Sequence, residues 1–479
     1  MNNNNTIIDA IRLNNQDRLH EIALVENGFG LTYEQLWNRV TIYSKELHDH
    51  GISRGKIVVL SFPNSIELSV LFLSLLNIEA VPIIVNELQE SAINFEQLNC
   101  FGYMAHQKNI SSALYKNLIN RKSECQPLFE NSFLFKNKNF DNRQLVEDTA
   151  ILITSSGSTS ISKVIKLTTQ GTIANIKANA KSLGISPFDT TIMALPMNYS
   201  YGLIGQFLSH LYTGSKIVLA DAKFAITQIP KLISEWNATS LFTVPPMIRQ
   251  LNYMFEKGFL KGDFSSLRFI TIGGNHLEKE SLIKAMKTFK CQFVKTYGLA
   301  EAGPRVCTHH IGSLEDAEIN SVGYPLEGIN IRIIDEYDNE LPIGEIGRVV
   351  IESPSITAGY LNHITDRIKP GKEILTEDLG YISKTGKFYI LGRKNDLMEV
   401  EGRQIWLQEM ASIIYGTGKV LKVNITKKGD YTHITIIPMP ACRITDESIF
   451  LLLCEHFQFN VWEKVHIKFI KANTVKVVK

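Results

Sequence analysis

An excess of charge of either sign is missing from this chain: across 479 residues, 50 Lys and Arg face 48 Asp and Glu, for a formal net charge of +2. That balance argues against a nucleic-acid binder driven by a basic surface and against an acidic solvating protein, so any phosphate chemistry must use local charge. Cysteines are few and scattered, at Cys100, Cys125, Cys291, Cys307, Cys442 and Cys454. No C-x-x-C spacing suggests zinc or a redox pair, and reduced thiols in a cytoplasmic protein are expected. Long apolar runs are absent too. The longest, Val70 to Val85, is interrupted by Asn77 and Glu79; it is too short to span a bilayer and reads as a buried helix running into a strand. Met1 is followed by four asparagines with no basic and then apolar stretch, so no signal peptide is expected. Beyond that asparagine tract there is neither repeat nor low-complexity segment.

What remains is an ordinary globular composition, 44% hydrophobic and 20% charged, in a chain too long for one hydrophobic core, so two or more domains are expected. Leu31-Thr-Tyr33 opens an amphipathic helix through about Asp49, followed by Gly51 and the strand Lys56 to Ser61. Pro63-Asn-Ser65 caps a further helix, which gives way to the strand Ala80 to Val85. Helices alternating with short, nearly all-apolar strands predict parallel sheets buried on both faces. Between about Ile93 and Asn142 the pattern weakens to irregular α/β.

One stretch carries chemistry. Thr154-Ser-Ser-Gly-Ser-Thr-Ser-Ile-Ser-Lys163 lies between the apolar runs Ala150 to Ile153 and Val164 to Thr168, so it reads as strand, hydroxyl-rich loop, strand. Small side chains, hydroxyl donors, free backbone N–H groups and one cation are the parts that hold a polyphosphate. Common turn material gives the same composition. A Walker-type loop is excluded, because Gly157 lacks the second glycine and the Lys-Ser/Thr pair at the required spacing. Beyond it, Gly171 to Leu183 is helical, Thr191 to Leu195 is a strand ending at Pro196, and Met197-Asn-Tyr-Ser-Tyr-Gly202 opens a long apolar helix through Leu211. Lys216 to Leu219 and Ser240 to Pro246 read as the next two strands, and Ile331 to Asp335 and Gly344 to Ile351, where alternation and turn glycines coincide, as further ones.

The loop and its neighbours resemble the adenylate-forming superfamily of acyl-CoA synthetases, nonribosomal-peptide-synthetase adenylation domains and luciferases. The family loop is Ser/Thr-Ser-Gly-Thr-Thr-Gly-x-Pro-Lys-Gly; here Ser160, Ser162 and Val164 replace its second glycine, proline and last glycine. Leu267-Arg-Phe-Ile-Thr-Ile-Gly-Gly-Asn275 matches a strand ending in Gly-Gly, where missing side chains let a flat base lie on the backbone. Lys295-Thr-Tyr-Gly-Leu-Ala-Glu-Ala302 matches Tyr-Gly-x-Thr-Glu, with Ala300 in place of the threonine. Thr376-Glu-Asp-Leu-Gly-Tyr381 stands where Thr-Gly-Asp-Leu-Gly is expected, although Asp378 would read as a turn residue if it stood alone. Gly392 to Gly402 resembles the hinge segment, with Glu399 where lysine is common. Lys468 to Lys476 ends where the family carries Thr-x-x-Gly-Lys, with Ala472 and Val475 replacing the threonine and glycine.

The resemblance implies an α/β protein. A large N-terminal domain of stacked, mostly parallel sheets with helices and a small β-rich subdomain would occupy residues 1–394, and a small mobile α/β C-terminal domain residues 395–479. It implies ATP and Mg2+ as cofactors, with Ser155, Ser156, Gly157, Ser158, Thr159 and Lys163 on the phosphates and Gly273, Gly274, Asn275, Tyr297 and Gly298 around the base. Asp378 and Arg393 would take the ribose, a carboxylate being able to accept both hydrogen bonds of a vicinal diol. Glu301 would help to hold the metal, Lys476 would be the catalytic lysine, and Asn395 falls at the hinge. Tyr199, Tyr201 and Gly202 are placed at the acyl pocket, or the tyrosines are simply packed aromatics.

The implied reaction has two steps: a carboxylate attacks the α-phosphorus of ATP to give an acyl-adenylate and pyrophosphate, and a thiol then takes the acyl group. Amino-acid-activating relatives carry an aspartate where Tyr201 stands, and an uncharged tyrosine does not offset a buried ammonium. A small carboxylic acid without an α-amine is therefore expected, with an amino or β-amino acid as the alternative. A degenerate member that binds nucleotide or carrier without turnover is the other. The acceptor is expected to be the phosphopantetheine arm of an acyl or peptidyl carrier protein, favoured over free CoA by a short C-terminal domain; no nucleic acid and no membrane span is expected.

Overall fold

The computed structural model describes residues 6–86, 98–106, 124–129, 132–141, 146, 148–154, 163–221, 225–313, 315–316, 318–400, 403–428, 431–439, 442–457 and 465–470. Two large sheets organise the N-terminal part. The first has nine strands, ordered Tyr324–Pro325, Cys307–Ile311, Gln292–Tyr297, Phe269–Ile272, Ser240–Thr243, Thr190–Met193, Lys216–Leu219, Ile22–Glu26 and Phe29–Thr32. Its six central strands run parallel, and antiparallel partners close both edges. The second has seven, ordered Glu124–Phe129, Ser132–Lys136, Gly102–His106, Ile57–Ser61, Val81–Ile84, Ile151–Thr154 and Val164–Leu167, parallel at its centre.

The expected alternation is present, for local reasons. Every residue of Ile57–Ser61, Val81–Ile84 and Ile151–Thr154 is buried, as befits parallel strands covered on both faces. Helix Tyr33–Asp49 starts at Thr32, whose side chain accepts from Gln35 N while the Gln35 side chain bonds back to Thr32 N; replacing such a cap costs about 1 kcal/mol. Ser65 caps Ile66–Asn77 and Thr168 caps Thr169–Leu183 by the single side-chain bond, accepting from Leu68 N and Gly171 N. One apolar core, with Ile11, Leu36, Phe72, Ile176 and Phe207, contains residues of both large sheets. A second, with Ile229, Ile248 and Phe289, fastens the helices Ala225–Trp236, Pro245–Glu256 and Lys279–Phe289 to the first sheet.

Two differences from the expected elements bear on the site. The segment after Pro196 forms a π-helix over Tyr201–Leu208 and only then an α-helix over Ser209–Thr213, not one long regular helix. Glycine is required at its start: a Cβ on Gly202 would lie 2.5 Å from the Pro196 carbonyl oxygen. Asp378 lies within the strand Glu373–Ile382 and not in a turn. That strand belongs to a five-stranded antiparallel sheet with Asn330–Ile334, Gly347–Glu352, Ile368–Lys369 and Phe388–Arg393, built on its own apolar cluster.

A smaller C-terminal unit follows. The ribbon Leu397–Val400 with Arg403–Trp406 leads into helix Leu407–Gly416, and helix Asp446–Phe457 covers a three-stranded sheet of Val420–Lys428, Tyr431–Pro438 and Val465–Phe469. It has a separate core around Met410, Ile434 and Leu453. All six cysteines are free thiols, and among the described residues no helix is long and apolar enough to cross a membrane.

Candidate active site

The strands Phe269–Ile272 and Gln292–Tyr297 are parallel neighbours, so the loops leaving their C-terminal ends lie side by side, where ligands bind in open α/β sheets. Gly273 admits no side chain: a Cβ there would be 2.5 Å from Thr296 Oγ1 and 2.8 Å from Tyr201 Cζ. Gly274 has φ of +83°, and its Cβ would meet the Tyr199 hydroxyl at 2.8 Å. Asn275 is exposed, and its Oδ1 accepts from His276 N at 2.8 Å. Gly298 is equally constrained, since the Pro304 carbonyl oxygen lies 1.7 Å from where its Cβ would stand. The chain leaving the second strand thus folds back on itself in contact.

Tyr297, Asp378 and Arg393 are brought together. Asp378 and Arg393 face each other in the pairing of Glu373–Ile382 with Phe388–Arg393. The Tyr297 hydroxyl donates to Asp378 Oδ2 at 2.6 Å, and Arg393 Nε stands 3.8 Å from Oδ1. Burial raises the Asp378 carboxyl, against the lowering effects of Tyr297 and Arg393. An edge-on contact with Phe388, 5.6 Å between ring centroids, fixes the Tyr297 ring.

Glu301 and Lys163 meet through Tyr360, a residue that sequence reasoning missed. The segment Thr357 to Leu361 runs beside the strand Val164–Leu167, with Ala358 N bonded to the Lys166 carbonyl oxygen and Leu361 N to that of Val164. This sets the Tyr360 hydroxyl to donate to Glu301 Oε1 at 2.9 Å and the Lys163 ammonium 5.1 Å from the Tyr360 ring centroid. Glu377 is within electrostatic reach of both Tyr360 and Asp378, so the two constellations share a field. No periodicity or motif marks Tyr360 in sequence. Ser155, Ser156, Gly157, Ser158, Thr159 and Lys476 lie outside the described residues. Among the described residues no group of three or more His, Cys, Asp or Glu could hold a metal. One half-buried carboxylate, Glu301, suits Mg2+, which keeps several waters and shares its shell with substrate phosphates.

Tyr201 is buried, its hydroxyl 2.5 Å from Thr271 Oγ1. Tyr199 is less enclosed, and burial raises its phenol. Asn395 is exposed in the short turn Lys394–Asp396. Sequence reasoning also missed Arg305, which is 1% exposed and stands 5.9 Å from the Tyr201 ring centroid. A lone arginine in the strand-like run Pro304-Arg-Val-Cys307 is a signal that could have found it.

The profile of a family described as AMP-binding enzyme matches residues 12–361. The oxalate–CoA ligase of Arabidopsis thaliana is 24% identical over 449 residues, covering 89% of this chain and 87% of the relative. A crystal structure of the anthranilate CoA ligase AuaEII with anthranoyl-AMP superimposes with a TM-score of 0.80 at 18% identity, covering 97% of this chain and 93% of the other. The McyG A-PCP structure with phenylalanyl-adenylate gives a TM-score of 0.79 at 18% identity, covering 98% and 92%. At such identities the superpositions establish the shared fold.

Proposed function

This chain belongs to the AMP-binding enzyme family, that of the acyl-adenylate-forming acid–thiol ligases, and from that premise we propose that it activates a carboxylic acid lacking an α-amine and delivers it to the phosphopantetheine arm of a carrier protein. The observation that carries the reading is the Tyr297–Asp378–Arg393 constellation beside the Gly273-Gly274 strand end. The glycines leave a bare backbone surface for the adenine, Tyr297 offers its ring to the base, and Asp378 accepts from the ribose diol while Arg393 reinforces it.

The first step brings an anion against a polyanion, so positioning and charge neutralisation dominate. Lys163 and the 155–159 loop hold the departing phosphates, and Lys476 bridges the carboxylate and the α-phosphate. Glu301, oriented by Tyr360, would help to hold Mg2+, which when bound would supply neutralisation of phosphate charge. Removing one such donor costs about 3 kcal/mol. Residues 1–394 form the adenylating domain and 395–479 the domain that turns about Asn395. No carboxylate stands at Tyr201, whose hydroxyl is held by Thr271, which disfavours an α-ammonium group. For the acceptor, the near-neutral charge of +2 supplies no broad positive field for the phosphorylated nucleotide of CoA.

Pyrophosphate release with a panel of acids and amino acids, with and without Mg2+, tests the reading. Acid-dependent release with AMP formed and a thioester on a carrier protein supports it. Selective release with amino acids transfers it to the amino-acid alternative, whereas AMP binding without release under any condition identifies a binding protein without turnover. Loading of free CoA in preference to a carrier protein corrects the acceptor alone.

A further inference from the structure

A buried arginine stands behind Tyr201 without enough partners. Arg305 is 1% exposed and ranks among the largest fully buried side chains. Its Nη2 donates to Thr308 Oγ1 at 2.8 Å, but its Nε and Nη1 have no hydrogen-bond partner among the described residues. The charged or titratable groups acting on it are Tyr201 and Cys307, both neutral at ordinary pH, and among the described residues no carboxylate pairs with it. Burial lowers its guanidinium only to about 10, so it keeps its charge. An unpaired buried guanidinium with two idle donors is costly, and that cost is relieved by an anion.

The surroundings connect this charge to the proposed acid site. The Tyr201 ring is flanked by two glycines: a Cβ on Gly273 would reach Tyr201 Cζ at 2.8 Å, and one on Gly205 would reach Tyr201 Cδ2 at 3.0 Å and Arg305 Cδ at 3.6 Å. Gly273 belongs to the strand end beside the proposed nucleotide site, and Arg305 follows directly from the Pro304 turn that packs on Gly298. Tyr201 also opens the π-helix, a geometry frequent at functional sites. The Tyr201 ring packs directly on both glycines and stands between the strand end and the guanidinium, so displacing it from Thr271 is the movement that would join the two. Water in place of an anion would leave the positive charge uncompensated.

We propose that the acid activated by this protein is a dicarboxylic acid, one carboxylate reacting and the other held by Arg305 through Nε and Nη1. This rests on the acid-activating reading above and specifies its substrate. Arg305 is here a binding and specificity residue that takes no part in the bond changes: one carboxylate oxygen still displaces pyrophosphate from the α-phosphorus.

The experiment compares succinate, glutarate and adipate with butyrate, valerate and hexanoate in pyrophosphate release by the full chain, and repeats the pairs with R305Q, which keeps size and loses charge. A thermal shift with AMP reports whether each protein is folded. The expected result is at least a tenfold higher kcat/KM for one or more diacids than for the matched monoacid, carried mainly by KM. That ratio should fall at least tenfold in R305Q and be partly restored in R305K. Should R305Q fail to fold, the ranking of acids by the unmodified protein decides. Monoacids used as well as or better than diacids by the unmodified protein, or an R305Q ratio unchanged, would overturn the proposal while leaving acid activation intact. Absence of acid-dependent release in both series, with AMP still stabilising the protein, would overturn this proposal and the acid-activating reading together.

Discussion

The hydroxyl of Tyr297 donates to Asp378 Oδ2 at 2.6 Å, tighter than the 3.8 Å approach of Arg393 Nε to the other oxygen. A residue at the end of a sheet strand thereby orients a carboxylate in the neighbouring antiparallel subdomain, and a nucleotide spanning the two would join them.

Asp378→Ala is expected to weaken AMP binding by about 2 kcal/mol, the scale of a hydrogen bond to a charged group. Tyr297→Phe, which keeps the ring and frees the carboxylate, should cost less. Calorimetric titration with AMP reads both. Equal affinity in a folded Asp378→Ala protein would remove this residue from the nucleotide site.

The pH dependence has a definite sign. Burial raises Asp378 above its ordinary value, so the folded protein binds its proton more tightly than the unfolded chain does. Stability from this group therefore falls as pH rises through the interval between the ordinary and the raised value. AMP affinity should climb over the same interval, because a diol needs the ionised carboxylate as acceptor. Asp378→Asn should flatten both trends in denaturant titrations and AMP titrations across the acid range.

Gly274 and Tyr199 should behave as a coupled pair. Gly274→Ala suffers from φ of +83° and from the Tyr199 hydroxyl 2.8 Å from the new methyl. Strain of a non-glycine residue in that region costs about 1–3 kcal/mol, and the contact adds to it. Tyr199→Ala relieves only the contact, so the double variant should be less impaired than the sum of the single ones. Strict additivity in denaturant unfolding would mean that the side chain simply moves aside. In the acid panel, Tyr199→Ala should also admit bulkier acids.

The C-terminal unit meets the helix Pro245–Glu256 where Arg249 stacks on Tyr415 and where Tyr253 packs against Leu421, Ile437 and Met439. The Arg249 guanidinium carbon lies 3.3 Å from the Tyr415 ring centroid while the same side chain holds Glu278 at 2.8 Å. Tyr415→Ala should remove a contact of about 1–2 kcal/mol and increase amide exchange of the helix Leu407–Gly416 ahead of the first sheet. Arg249→Ala should cost more, about 3–5 kcal/mol, because Glu278 would be left buried and unpaired. Both are read by hydrogen-exchange mass spectrometry and denaturant unfolding.

Much of this fold was legible because its strands announce themselves. Runs such as Ile57–Ser61 and Ile151–Thr154 are apolar without alternation, and Ser65 and Thr32 mark helix starts by type and position. The π-helix was not legible: apart from Gln206, Tyr201–Leu208 is made of apolar and glycine residues and is buried throughout, and such a run looks alike whether its bonds span four residues or five. The strand position of Asp378 was hidden by the turn-forming Asp and Gly around Leu379. Tyr360 and Arg305 escaped for a different reason. Their significance lies in partners distant in sequence, Glu301 and Tyr201; for Arg305 the local run marks a lone charge among apolar residues but not its partner, and for Tyr360 no local pattern marks even the residue.

The last expectation concerns Asn395 and Lys476 together. Asn395 is exposed in the turn Lys394–Asp396, between the strand that ends at Arg393 and the ribbon that begins at Leu397, so the chain joining the two units passes through it. If one C-terminal unit serves both half-reactions by turning there, a lysine needed for adenylation must withdraw before the thiol arrives. Lys476→Ala should then nearly abolish pyrophosphate release yet still transfer the acyl group from a chemically prepared acyl-adenylate. Asn395→Pro should show the opposite, since proline fixes φ near roughly −65° and stiffens the turn, sparing adenylation while thioester formation fails. An ordinary surface lysine and an ordinary loop asparagine would not separate the half-reactions. Equal slowing of both steps by Lys476→Ala, or of neither, would remove the two-position mechanism for this protein.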